Sequence, residues 1–178
     1  MTDTRTKILD LAEDLTQRKG FNGFSYLDLA AAIGVKNSSI HYHFKAKADL
    51  ALALVSRARE AHVEALNAMD QEYRQPEERL NAMVQHFKSY LDNQRICMCG
   101  MMAAEFESVS PDVRKALALY FKDLQNWLTK QFAQMDHSDP QGSALQFLCA
   151  LEGSLLLARL DGDKSIVNRS VESYLRRA

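Results

Sequence analysis

Residues 25–44 read SYLDLAAAIGVKNSSIHYHF, and the fold of the whole chain turns on how this stretch is read. Ser25 followed three residues on by Asp28 is an acidic relative of the capping box, a pattern that opens a helix. YLDLAAAI then continues for about two helical turns. Gly34 stops it, because glycine adopts the left-handed backbone that ends a helix and redirects the chain. A third short helix is expected over residues 37–44. Two helices of about two turns each, joined at a glycine turn, have the layout of a helix-turn-helix. Ala30 is small enough for close helix contact, and Val35 and Ile40 are placed to bury behind the turn.

The third helix concentrates chemistry: two serines, two histidines and a tyrosine lie within seven residues. A metal site would need His41 and His43, with Cys97 and Cys99 as further ligands. Residues two apart on a helix diverge by about 200° and cannot grip one ion together. Zinc also favours C-x2-C or histidines at i and i+4, so no metal and no cofactor are expected. For catalysis the chain lacks a G-x-S-x-G elbow and a phosphate loop, and a two-turn helix offers no oxyanion hole, so it does not read as an enzyme. The remaining reading starts from burial. Ile40 and Phe44, four apart, form an inward stripe. Ser38, Ser39 and Tyr42 then face out, His41 and His43 flank them, and Asn37 projects from the N-terminal end. Edged by Lys36, Lys45 and Lys47, this face carries the donors and acceptors that a major-groove helix needs.

The wider chain agrees with a helical, globular protein. It has 178 residues, 47% of them hydrophobic, so it can bury at least one core. Only seven glycines and three prolines interrupt a sequence rich in Ala, Leu, Glu, Gln, Lys, Arg and Met. Charges are expected to break every window long enough for a bilayer, so no membrane span is read. The N-terminus becomes amphipathic at once, without a signal-peptide core, and three cysteines fit no disulfide framework. Both features point to a cytoplasmic protein. Residues 1–47 hold seven Lys/Arg against five Asp/Glu, while the remainder holds fifteen against eighteen. The first part is therefore net positive and the rest net negative, which suits a polyanion-facing N-terminus.

Apolar periodicity predicts nine helices and no strand. The first runs over residues 4–19 on Ile8, Leu9, Leu11, Ala12 and Leu15, and ends at Gly20. A long one is expected from about 47 to 72, and another begins at Pro76 with Leu80, Met83, Val84, Phe87 and Leu91 on one stripe. CMCGMMAAEF is a shorter apolar segment. Ser110-Pro111 and Asp139-Pro140 are cap-plus-proline starts for helices over 111–134 and 140–160, and a last helix is expected over 165–177.

Residues 1–50 resemble the N-terminal domain of TetR-family transcriptional regulators. The family pattern of helix, G-[FY], capped S-x-x-x-[IL]-A, G-V, a short recognition helix ending in an aromatic, and x-x-K-x-x-L appears as Gly20-Phe21, Ser25 to Ala30, Gly34-Val35, Phe44, Lys47 and Leu50. Cys97 to Glu105 is similar to the family's C-x7-E stretch. The resemblance implies an all-α protein with a DNA-binding domain over 1–47 and a larger ligand-binding and dimerisation domain over 48–178. It implies base-edge contacts from Asn37, Ser38 and His41, and phosphate contacts from Tyr26, Ser39, Tyr42, His43 and Lys47. Two positions depart from the pattern. Lys36 stands where a serine cap is usual and is assigned to a phosphate, and His41 stands where tyrosine is usual.

The resemblance also implies a ligand-responsive regulator, a repressor on a palindromic double-stranded DNA operator. A helix this short reads few base pairs, so a homodimer on two half-sites is expected. ALQFLCALEGSLLLARL (144–160), apolar on more than one face, is the candidate interface, completed by Val167, Val171, Tyr174 and Leu175. The middle helices are rich in methionines and aromatics that can line an adaptable pocket or fill a core. The effector-pocket candidates are Phe87, Tyr90, Met102, Phe106, Tyr120 and Trp127, with His62 and His86 as polar anchors. Cys97 and Cys99 are candidates for redox or electrophile sensing, against the reading of inert buried thiols. The alternative overall is a small helical ligand-binding protein or enzyme that does not act on DNA.

Overall fold

A computed structural model describes residues 3–175, and its regular elements are helices alone among those residues. Besides short 3₁₀ turns, nine are α-helices: α1 Thr4–Lys19, α2 Tyr26–Ile33, α3 Asn37–His43, α4 Lys47–Glu72, α5 Pro76–Ser89, α6 Met98–Ala104, α7 Pro111–Gln134, α8 Pro140–Asp161 and α9 Ser165–Val171. The chain packs as two compact units. One holds the described residues up to Arg59 together with Met98–Ala118; the other holds Glu60–Cys97 together with the described residues from Leu119 on. α4 and α7 each contribute one part to either unit.

In the first unit the local chemistry of residues 25–44 acts as its sequence implies. The Ser25 hydroxyl accepts from the Asp28 backbone N–H (3.3 Å), and the Asp28 carboxylate accepts from the Ser25 N–H (2.7 Å). Gly34 sits at φ +73° in the left-handed region, and the Val35 N–H closes on the Ala30 carbonyl at 3.0 Å. The Ala30 carbonyl also accepts from the Gly34 N–H, and the two bonds together fix the turn between α2 and α3. Behind the turn, Ile8, Leu29, Ile40, Phe44, Leu50 and Leu54 are buried and form the core of the first unit. Arg57 of α4 reaches back to α1, meeting Asp10 at 2.6 Å and Glu13 at 2.5 Å. Ser25→Ala removes one half of the reciprocal cap and is expected to cost about 1 kcal/mol, read as a lower urea midpoint with unchanged slope.

In the second unit α5 presents Leu80, Met83, Val84 and Phe87 to α7, α8 and α9, whose Leu124, Leu128, Phe132, Phe147, Leu151, Leu155, Val167 and Val171 complete the core. The Phe132 and Phe147 rings meet edge to face at 5.7 Å. Asp139 caps α8 by accepting from the Gly142 N–H at 2.9 Å, next to the proline at the first helical position.

Two expectations are corrected here. The last helix stops at Val171, and Glu172–Leu175 tighten into a 3₁₀ turn rather than continuing; residues 176 and 177 lie outside the described residues. α8 is also long and apolar enough, by length and composition, to cross a membrane, so charges do not interrupt every such window. Between Asp139 and Asp161 its single carboxylate is Glu152. One side of this helix, from Ala144 to Ala158, packs into the core.

Candidate functional site

α3 buries only Ile40 among its seven residues, with Phe44 buried at its end, so the rest of its surface is available. Ser38, His41 and Tyr42 are exposed, and Asn37, Ser39 and His43 are partly so. Tyr42 is the most outward, with 83% of its surface accessible and its ring edge-on to His43 at 5.2 Å. The helix carries no carboxylate, and exposed Lys36 and Lys45 stand at its two ends. Lys36 occupies the N-cap position, where its ammonium, a donor only, makes no cap bond. The Asn37 amide oxygen is sealed with no partner.

Tyr26 and Lys47 sit differently. Tyr26 is buried, and its hydroxyl donates its one hydrogen to the Ala46 carbonyl at 2.7 Å. Burial, and then the Asp49 carboxylate, push that hydroxyl up to about 12, so it stays protonated. In this arrangement it can accept but not donate, whereas a phosphate oxygen needs a donor. Its ring meets His41 edge-on at 4.9 Å and braces α3 from behind. The Lys47 ammonium donates to the Phe24 carbonyl at 2.6 Å and lies 4.8 and 4.9 Å from the Phe21 and Phe24 ring centres. Partial burial lowers its pKa, opposed by the charges of Glu105 and Asp28. Both side chains thus tie elements of the first unit together.

A further tie involves a residue that the sequence named only as the end of a motif. The Glu105 carboxylate, just past α6, accepts from the Asn22 backbone N–H (3.1 Å) and from the Asn22 side-chain amide (3.0 Å), which also donates to Ser108 (2.6 Å). One Glu105 oxygen lies 2.2 Å from where a β-carbon on Gly20 would stand, and Gly20 has φ +85°. Glycine is therefore required there on two counts. The turn after α1 is clamped to the α6–α7 connection within the same unit. Gly20→Ala is expected to break this clamp and lower the melting temperature of the protein; Gly23→Ala would bring its β-carbon within 2.8 Å of the Lys19 Cβ, a clash without a left-handed φ, and should cost less.

Three of the six effector-pocket candidates stand together. Phe87, Tyr90 and Tyr120 come together with His62 and His86: His62 is 5.1 Å from Tyr120 and 5.9 Å from Phe87 between ring centres, and the Tyr90 hydroxyl bonds His86 Nε2 at 3.0 Å. Trp127 is buried elsewhere, donating through Nε1 to Asp70 at 3.1 Å. Met102 and Phe106 belong to the other unit. Met102 is core, while Phe106 is 52% exposed beneath the Arg114 guanidinium. A cavity of about 350 Å³ in the second unit is lined by Leu91, Asp92, Gln94, Ala158, Arg159, Gly162 and Lys164, none of them a candidate. Cys97 and Cys99 are both buried, in different units, and Cys149 is exposed. Among the described residues no three His, Cys, Asp or Glu side chains are grouped to hold a metal.

The comparisons with known proteins bear on both halves. Residues 8–54 match the family described as bacterial regulatory proteins, tetR family, and residues 76–172 match the C-terminal domain of LmrA/YxaF-like transcriptional regulators. The chain belongs to the TetR family. A TetR transcriptional regulator from Legionella pneumophila has the same fold, with a TM-score of 0.92 and 28% identity, covering 98% of this chain and 96% of that one. A TetR-family regulator from Agrobacterium tumefaciens gives 0.91 and 27%, covering 96% and 95%. An uncharacterized HTH-type transcriptional regulator of Lactococcus lactis is 24% identical over 185 residues, covering 97% of this chain and 91% of its own length. The TetR-family fold, a helix-turn-helix followed by a larger helical half, accounts for the whole described chain.

Within this TetR-family regulator one feature sharpens the sequence reading and a second escaped it. α8 leaves Leu145, Cys149, Leu156 and Leu160 exposed on one side, with Leu156 57% and Leu160 81% accessible. Their spacing places them on one stripe, opposite the face that packs into the core. The second feature is Glu152, at the flank of that stripe. One oxygen of its carboxyl is sealed without a partner, and the Cys97 thiol hydrogen-bonds to the carboxyl. Burial pushes this carboxyl up to about 7, and the thiol bond only partly offsets it. The signal was present as the lone carboxylate in an apolar run, but it lay inside a segment read as an interface.

Proposed function

We propose that this TetR-family regulator is a homodimeric repressor. In this reading it binds a palindromic double-stranded DNA operator through residues 1–47 and is released when residues 48–178 bind a small-molecule effector. The observation that carries the reading is α3: a helix pinned from behind by Ile40 and Phe44, with an uncharged polar outer face and lysines at both ends. Asn37, Ser38 and His41 are assigned to base edges, and Lys36, Ser39, Tyr42 and His43 to phosphates. Tyr26 and Lys47 serve chiefly to position α3, through the Ala46 and Phe24 carbonyls.

Two copies associate through α8 and α9, whose exposed leucine stripe would otherwise face water. The effector site lies around Phe87, Tyr90, Tyr120, His62 and His86. For release, the effector must bind the conformation that does not fit DNA more tightly than the one that does, and the coupling is reciprocal. A thiol route through Cys97 or Cys99 is the weaker alternative, because both are buried.

Fluorescence anisotropy with DNA from upstream of the gene tests the assignment. His41→Ala should weaken operator binding more than non-specific binding, Tyr42→Phe should weaken both alike, and circular dichroism should stay unchanged. Lys36→Ala should reduce the slope of log K against log salt by roughly 0.9. Wild-type affinity in all three variants would remove α3 from the reading surface.

A further inference from the structure

Glu152 is an unusual residue for the place it occupies. It lies between the core face and the open face of α8, part of its stem accessible, one carboxyl oxygen sealed and unpartnered. Burial and the Cys97 thiol are the influences acting on it, with no lysine or arginine among them. A thiol is a weak donor, so the carboxyl is poorly served. Cys97 Sγ in turn lies 4.0 Å from the Tyr120 hydroxyl, and the Tyr120 ring is 5.1 Å from the His62 ring. His62 repeats the anomaly: its Nε2 is sealed with no partner. From there the rings of Phe87, His86 and Tyr90 continue the wall. All of these side chains belong to one compact unit.

Two unsatisfied polar groups among aromatic rings call for a ligand, and their chemistry restricts its charge. An anion would meet a carboxyl with no cation to offset it, because burial keeps His62 neutral, down at about 4. A neutral molecule could hydrogen-bond to the protonated carboxyl but would gain no charge attraction from it. A cation supplies a charge partner, lets the carboxyl ionise, and gains further attraction from the ring faces. We infer that the effector of this protein is a compact organic cation, an amine bearing an apolar body, whose ammonium is held by Glu152 beside Cys97 and Tyr120 while the body lies along His62 and Phe87. His86 and Tyr90 are partly exposed and are the side chains that swing to admit it. The inference rests on the effector-responsive reading above and adds the ligand class to it.

Three probes of one size and three charges test it on the full-length protein: benzylamine, benzyl alcohol and benzoate, at pH 8. Benzylamine should raise the thermal midpoint and release labelled upstream DNA at a concentration at least roughly tenfold below that of benzyl alcohol, with benzoate inert. Glu152→Gln, which keeps shape and removes charge, should lose at least that factor for benzylamine while holding DNA as the wild type does. Glu152→Asp should retain part of the response. Equal responses to benzylamine and benzyl alcohol, a stronger response to benzoate, no response to benzylamine, or an unaltered benzylamine response in Glu152→Gln would each overturn the inference. If benzylamine shifts the thermal midpoint in a Glu152-dependent way but the protein binds no DNA, the cation site stands and the repressor reading falls.

Discussion

Leu156→Glu combined with Leu160→Glu should yield a folded monomer whose operator affinity is lower by roughly 10²–10⁴-fold. Both leucines are more than half exposed in the single chain, so carboxylates there cost little in the monomer. Across an interface between two copies the same carboxylates would be buried without partners, next to their own symmetry mates, and removal of a charge from water is then uncompensated. On the proposed reading each α3 alone would contact too few base pairs to hold a specific site, so affinity would depend on linking two of them. Sedimentation velocity should give the monomer mass at micromolar protein, with the helical spectrum retained. A double variant that still sediments as a dimer would move the interface away from α8.

Stability should respond to pH in opposite directions in two single variants. His62 is held at about 4 in the folded protein, by burial first and then by His86, against 6.5 for the free side chain. Between those values the unfolded chain takes up a proton that the fold refuses, so stability is lost as pH falls from 6.5 toward 4. Glu152 is raised to about 7 from 4.5. Here the fold keeps a proton that the unfolded chain releases, so its stabilisation is full below 4.5 and is lost as pH rises toward 7. Each effect amounts to about 3 kcal/mol over its range. Between pH 4.5 and 6.5 the two slopes cancel in the wild type. Glu152→Gln exposes the His62 slope and should gain stability from pH 4.5 to 6.5; His62→Phe exposes the Glu152 slope and should lose it over the same interval. Urea unfolding across that interval would refute the assignment if both variants ran parallel to the wild type.

What could be read from the sequence was what local chemistry decides. Ser25 with Asp28, Gly34, Ser110-Pro111 and Asp139-Pro140 mark helix ends through bonds spanning a few residues, and those ends fall where they were expected. The inward turn of Ile40 and Phe44 followed from spacing alone. Partnerships between distant elements did not follow. Nothing near Tyr26 announces that its hydroxyl goes to Ala46, twenty residues away, and nothing near Asn22 points to Glu105. Which aromatic and methionine residues line a site was not legible for the same reason. A buried Met102 or Trp127 has the same apolar pattern whether it fills a core or lines a site, and only the packing separates them. Glu152 carried a signal that was legible as an oddity, but its meaning depended on Cys97 standing beside it, with the Tyr120 hydroxyl 4.0 Å from that thiol.

The central claim is that α3, in two symmetric copies, reads DNA. Hydroxyl-radical footprinting of the wild-type protein on upstream DNA addresses it most directly. The account predicts two protected patches related by a dyad, with the two half-site centres separated by about one helical turn (34–36 Å) or a multiple of it, and with both patches lost together in His41→Ala. A single unpaired patch, protection that spreads evenly without a dyad, or a footprint unchanged in His41→Ala would contradict it.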